Sequence, residues 1–183
     1  MVYVPTQFHI DPHAEKTVYD LHDNSDTNGY RKFLNRTAVP ILDRLTPNSI
    51  GLDFGCGPNP VLAKIFTEHG HRMAVYDKFY ATSAAPLLQK YDFITMTEVI
   101  EHIAKPIPVL ETLFSCLNDD GILAVMTKRL TNQSAFKTWH YKNDPTHITF
   151  YSEKTFQWIS AIYDLKIEII DQDVVFLSKV SRI

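Results

Sequence analysis

The sequence predicts an α/β fold: a mostly parallel sheet with an antiparallel C-terminal hairpin, one reduced edge strand and an N-terminal helical cap. Three observations predict it. Short apolar runs alternate with helical patterns from residue 50 onward: a strand at 50–54, a helix at 61–68 and a strand at 71–76. The first run breaks into Gly55-Cys56-Gly57, and strand, glycine turn and helix in that order build the ligand crevice of open α/β sheets. The last two runs, 165–170 and 174–180, flank Asp171-Gln172-Asp173 and read as a hairpin.

Residues 1–11 are irregular, with Pro5 and Pro12 as breakers. A helical pattern carrying Ala14, Val18, Tyr19 and Leu21 starts at Pro12 and ends in the polar turn 22–29. A second helix, 30–45, puts Phe33, Leu34, Ala38, Ile41, Leu42 and Leu45 on one apolar face. Both precede the first strand, so residues 1–47 read as a cap over the sheet and 48–183 as the core. Tyr19, His22 and Tyr30 at their joint suit a lid, by packing or by touching a ligand.

Beyond the glycine turn, the helix 61–68 stops at His69-Gly70, and the strand 71–76 ends at Asp77. Only residues 78–90 precede the next strand, 91–97, too few for a helix, a full strand and another connection. A helix follows from Pro106 to about 117, then a turn at 118–121 and a buried strand at 122–126. Residues 128–150 are polar and aromatic without a clear period, the length of a functional loop or substrate lid. Ser152 is a suitable N-cap for a helix reaching about 163.

At 183 residues the chain reads as one domain, 45% hydrophobic and 21% charged. Its net charge of −3 and absence of basic runs argue against long nucleic acid or an anionic membrane as partner. No apolar run approaches membrane-spanning length. Cys56 and Cys116 give neither a disulfide framework nor metal-ribbon spacing, which fits a reducing cytoplasm. Nothing in the sequence speaks to oligomeric state.

The glycine turn has two common readers. Dinucleotide dehydrogenases use GxGxxG, but Pro60 stands at the third glycine. S-adenosylmethionine (SAM) methyltransferases use an acidic residue, any residue, then GxGxG; Asp53-Phe54-Gly55-Cys56-Gly57 fits, with Asn59 at the last glycine. Asn tolerates positive φ better than most residues. A tight turn without a ligand is the third reading. Asp77, at a strand's carboxyl end, is placed to accept both hydroxyls of a ribose; a solvated loop carboxylate is the alternative.

Taken together the motifs resemble class I SAM-dependent methyltransferases, through Leu52-Asp-Phe-Gly-Cys-Gly57, Val75-Tyr-Asp77, the run from Tyr91 to His102, and Gly121-Ile-Leu-Ala-Val-Met126. A bacterial subgroup without an assigned substrate is similar through His22-Asp-Asn-Ser25, Gly29-Tyr-Arg-Lys-Phe-Leu34, Trp139-His-Tyr141 and Asp144-Pro-Thr-His147. The resemblance implies a Rossmann-like, seven-stranded sheet with the SAM cleft at the strands' carboxyl ends. It implies cofactor contacts from Asp53, Gly55, Cys56 and Gly57, the ribose on Asp77, Lys78 and Phe79 flanking the adenine, and Thr97 and Glu98 near the transferred methyl.

Glu98-x-x-Glu101-His102 is similar to a metal motif of small-RNA 2′-O-methyltransferases and to a motif in ubiquinone-pathway O-methyltransferases. With His147 it implies a Mg²⁺, Mn²⁺, Fe²⁺ or Zn²⁺ site of two carboxylates and two imidazoles; helix capping and lid hydrogen bonds are the alternative for Glu101 and His102. His147 or His140 is a candidate general base, as is Glu98, and Tyr30, Trp139 and Tyr141 are candidate acceptor contacts. Lys128 and Arg129 either meet an anionic group on the acceptor or form a solvated pair. The expected function is methyl transfer from SAM to a small-molecule acceptor at oxygen. An RNA 2′-O-methyltransferase and a SAM-binding module without catalysis are the alternatives.

Overall fold

The computed structural model describes residues 1–22 and 24–179. Asp23, in the predicted polar turn, and Val180, the predicted end of the last strand, lie outside the described residues.

A six-stranded sheet organises the chain. Its strands are β2 (Ile50–Phe54), β3 (Arg72–Tyr76), β4 (Tyr91–Thr97), β5 (Leu117–Met126), β7 (Leu165–Ile169) and β8 (Val174–Lys179), and the order is β3-β2-β4-β5-β8-β7. β3, β2, β4 and β5 are parallel, while β8 runs antiparallel to both β5 and β7. The seventh strand that the resemblance implies is absent from the described residues. Between β3 and β4 the chain makes only the Asp77–Ala81 bridge and a 3-10 turn, Ala85–Leu88.

Alternating side chains of the central strands feed two cores, one on each face. Ile94, Met96, Leu123 and Val125 pack with Leu110, Leu113 and Phe114 of α4 (Pro106–Cys116) and with Phe156 and Ile159 of α6 (Glu153–Ile162). Phe93, Ala124 and Met126 face the opposite side, against Val61, Leu62, Ile65 and Phe66 of α3 (Val61–Glu68). Leu34, Ala38 and Ile41 of α2 (Asn28–Leu42) join this second core. The helices expected over 1–47 pack in two ways: α2 is a layer on the sheet, and α1 (Pro12–Asp20), with no buried residue, is a cover. Asp11 caps α1, accepting from the backbone N–H groups of His13 and Ala14, with Pro12 at the first helical position.

Two further expectations are corrected. The predicted turn at 118–121 lies inside β5, where a register irregularity opposite Tyr91 and Phe93, with Asp120 at φ +60°, absorbs the extra residues. The predicted loop 128–150 contains α5 (Gln133–Thr138), a 3-10 turn over His140–Asn143, and β6 (Thr149–Phe150). β6 pairs with β1 (Val2–Tyr3) at the start of the chain, and Ile148 donates its N–H to the Glu101 carbonyl. The segment before β6 is thereby held between the N-terminus and the loop after β4.

Candidate active site

At the carboxyl end of β2 the chain must turn within a few residues to start α3. The Gly55 and Cys56 N–H groups both donate to the Tyr76 carbonyl, at 2.7 and 3.2 Å. Gly55 sits at φ +79° and Gly57 at φ +66°. A Cβ on Gly55 would lie 2.3 Å from Val99 Cγ2, so the turn is packed directly against the loop after β4. A Cβ on Gly57 would meet nothing closer than Asn24 Nδ2, at 3.5 Å.

Asp77 ties this turn to the next. Its Oδ2 accepts the Gly57 N–H at 3.0 Å, and its Oδ1 accepts the N–H groups of Phe79 at 2.8 Å and Tyr80 at 3.2 Å. Four lone-pair directions on a carboxylate leave capacity for one further donor. Asp53 has a different place from the cofactor contact expected for it. It is 4% exposed, accepts the Thr95 hydroxyl at 2.8 Å and lies beneath the turn rather than in the cleft wall. Burial pushes its carboxyl up to about 6.

A second group gathers where β4 ends. Glu98 holds φ +51°, a left-handed conformation costly for a side chain with a Cβ, while its N–H donates to the Met126 carbonyl at 2.8 Å. A 3-10 turn, Ile100–His102, then buries Glu101 completely. The Tyr141 hydroxyl contacts Glu101 Oε1 and lies 3.2 Å from Glu98 Oε2. One phenolic hydrogen serves one carboxylate at a time, so Tyr141 can donate to either glutamate. Burial raises both glutamates above the ordinary carboxylate range, with repulsion from Glu101 adding to it at Glu98 and repulsion from Asp144 at Glu101.

His102 and His147 stand beside these carboxylates, ring centroids 4.7 Å apart. Each Nδ1 faces a backbone carbonyl, Thr146 at 3.0 Å for His102 and Tyr141 at 2.7 Å for His147. Nδ1 must donate there, which leaves the Nε2 lone pair of each ring available. Burial lowers His102, and burial together with the neighbouring His102 lowers His147 to about 4, so both rings are neutral near pH 7. Glu101, His102 and His147 each offer a ligand atom within 4.8 Å of the others. Glu98, expected as the fourth member, stands outside that trio; its carboxylate is directed to Tyr141. Glu101 Oε2 is buried without a hydrogen-bond partner among the described residues.

Between the glycine turn and this group lies a cleft of about 920 Å³. Gly55, Cys56, Gly57, Asp77, Lys78, Phe79, Thr97, Glu98, His102, His147 and Tyr30 all line it. Its cover is α1, fastened by polar contacts. Glu15 accepts from Lys78 Nζ at 2.6 Å and from the Tyr19 hydroxyl at 2.6 Å, and Asp20 accepts from the Tyr80 hydroxyl at 2.7 Å. The Tyr19 ring meets the His102 ring edge-on at 5.3 Å. Lys78, expected beside an adenine, is thus engaged with the cover. Desolvation by this enclosure pushes the Cys56 thiol up to about 12, which makes it an inert wall rather than a nucleophile.

Three further expected site residues, His140, Trp139 and Tyr141, do not line the cleft. His140 is exposed, with Nε2 3.4 Å from Lys128 Nζ, and does not reach the cleft. Trp139 packs 5.0 Å from the Tyr141 ring but lines a separate cavity behind it. Glu15 as the clasp of the cover and Tyr141 as the link between two carboxylates are not legible from the sequence pattern. An i, i+4 pair, Glu15 and Tyr19 on one helix, was the available signal for the first.

The family model described as a methyltransferase domain matches residues 26–168. Among curated proteins, the ubiquinone biosynthesis O-methyltransferase of Actinobacillus pleuropneumoniae serotype 7 (strain AP76) is 29% identical over 84 residues, 44% of this chain. The match spans only 36% of that relative's length. Among solved structures, magnesium protoporphyrin IX methyltransferase from Synechocystis PCC 6803, with SAH bound, shares the fold at a TM-score of 0.60 and 13% identity, over 92% of this chain and 94% of that one. The plantazolicin methyltransferase BpumL, in complex with a triazolic desmethylPZN analogue and SAH, gives 0.58 and 16%, over 93% and 92%. The glycine turn, the strand order and the family match lead to one assignment: the chain belongs to the methyltransferase-domain family.

Proposed function

We propose that this enzyme methylates a small-molecule acceptor at oxygen, with Glu98 as the base that takes the hydroxyl proton. The placement of Glu98 carries the reading: a strained strand-end residue, in the cleft wall, with its carboxyl raised towards neutrality.

The cleft fits SAM on its own terms. The glycine turn keeps side chains out of the cleft at Gly55 and Gly57, and Asp77 has one acceptor direction left for a ribose hydroxyl. Glu15, Asp77, Glu98 and Asp144 line the cleft against one lysine, Lys78, which suits a net cationic cofactor. Bound SAM supplies an electrophilic methyl on a sulfonium, and the protein positions the acceptor in line with it. Phe79 offers a ring for the adenine, and Thr97 and Glu98 flank the reacting end. Glu98 receives the acceptor proton, and Tyr141 donates to the carboxylate pair as charge moves between Glu98 and Glu101. His147, lowered to about 4, is too weak a base for this step. The O-methyltransferase name of the curated relatives agrees with oxygen as the target. A net charge of −3 favours a small acceptor over a long RNA.

A second reading has its own support. Two neutral imidazoles held through Nδ1 by backbone carbonyls, beside a buried unpartnered carboxylate oxygen, form a donor set that fits a divalent cation on Glu101, His102 and His147. A cation there would acidify an acceptor hydroxyl.

One experiment tests both readings. Metal-stripped protein is incubated with methyl-labelled SAM and a panel of hydroxyl and amine acceptors, with and without Mn²⁺, and products are identified by mass spectrometry. Label on oxygen without Mn²⁺ is the expected result. Label on oxygen only with Mn²⁺ selects the metal reading, and label confined to nitrogen contradicts both.

A further inference from the structure

A second cavity, of about 1130 Å³, lies behind the aromatic wall of the cofactor cleft. Trp139 and Phe136 line it, and Trp139 packs on Tyr141, whose hydroxyl reaches Glu98. Tyr141 lines neither cavity but links their walls, its ring 5.0 Å from that of Trp139 and its hydroxyl 3.2 Å from Glu98 Oε2.

Three cations converge on this second cavity: Lys128, Arg129 and Lys154. None makes an ion pair among the described residues. The two acidic residues on the same wall are already engaged. Asp173 binds Arg36 at 2.8 Å, and Glu153 accepts from Gln157 at 3.1 Å. Arg129 is clamped by two backbone carbonyls, Gln172 at 2.9 Å and Asp171, which fix its plane without neutralising it. Lys128 Nζ sits 5.3 Å above the centre of the Tyr141 ring. Lys154 stands in the first turn of α6, where a positive charge opposes the helix dipole. The chain as a whole carries −3, so this basic cavity is a local departure.

Resting on the methyltransferase reading above, we propose that this cavity anchors the acceptor, and that the acceptor carries a fixed negative charge, carboxylate or phosphate, beside a planar apolar body. The charge is held by Lys128 and Lys154 with Arg129 behind them, the planar body lies on Phe136 and Trp139, and the hydroxyl end is directed towards the Tyr141 side of the cavity, beyond which Glu98 lies. The acidic cleft holds the cationic donor and the basic cavity the anionic acceptor, so each selects against the other's ligand.

The test uses the full chain with Trp158→Phe, which leaves Trp139 as the fluorescent reporter of the cavity. Benzoate, phenyl phosphate and the neutral benzamide are titrated, with SAM affinity measured on the same protein by calorimetry. At least one anionic probe is expected to bind about tenfold more tightly than benzamide, and which one does so distinguishes carboxylate from phosphate. Adding Lys128→Gln and Lys154→Gln is expected to remove that preference and leave SAM affinity within about threefold. Equal binding of benzamide and both anions, or a preference that survives the double substitution, overturns the proposal. Absence of SAM binding in the folded protein overturns the reading beneath it, a failure recorded independently of the anion preference.

Discussion

Gly55→Ala is expected to weaken SAM binding by about 30-fold or more and to cost about 2–5 kcal/mol of stability. Two terms add. A Cβ at φ +79° takes on the left-handed strain of an L-residue, about 1–2 kcal/mol. It also arrives 2.3 Å from Val99 Cγ2, with Val99 Cγ1 at 2.9 Å, and overpacking of this kind costs about 1–3 kcal/mol. Relief requires the turn or the loop after β4 to move, and that loop carries Glu98. Gly70→Ala is the control, because its φ is +85° but no atom lies within 4 Å of the added carbon. It should lose only the strain term and bind SAM normally. Urea denaturation and calorimetric titration of both variants measure the difference. Equal effects at the two glycines would show that close packing at Gly55 is not what shapes the cleft.

Glu98→Gln is expected to lower kcat by about 10²- to 10⁴-fold with SAM affinity little changed, since the amide keeps the shape but cannot take a proton. The pH profile carries the sharper signature. As the proposed base, Glu98 would work only when ionised, and burial and Glu101 raise its pKa, so activity should climb with pH on a limb well above the usual glutamate value of about 4.3. The Tyr141 hydrogen bond favours the ionised form. Tyr141→Phe should therefore move that limb to higher pH, while Glu98→Gln should abolish it. These profiles are read as SAH release with an acceptor drawn from the labelled-product screen. A limb that stays in place in Tyr141→Phe would separate Tyr141 from the base.

The sequence reading was best where local pattern and tertiary position coincide. α3 and the strands around it follow from apolar runs cut by glycine, and the missing edge strand followed from the shortness of 78–90. Reading failed where distant contacts hold short elements. α5 has six residues and no buried side chain, so its pattern is silent; Phe136 and Trp139 fix it by packing on Phe150. The apolar face of α2 is legible, but not what it meets, here Phe93, Ala124 and Met126 across the sheet. In the site, Glu101, His102 and His147 were legible as residue types with a spacing. Tyr141 was legible only as an aromatic residue, because its hydroxyl meets carboxylates forty and more positions away.

The central claim is that the cleft behind the glycine turn binds SAM. Its most direct test is a calorimetric titration of SAM into the full wild-type chain, repeated on Asp77→Ala. The account predicts saturable binding at one site per chain in the wild type. It predicts a loss of at least about tenfold in the variant, where three backbone N–H groups lose their acceptor along with the ribose. Folded wild-type protein that shows no saturable heat with SAM would contradict the account.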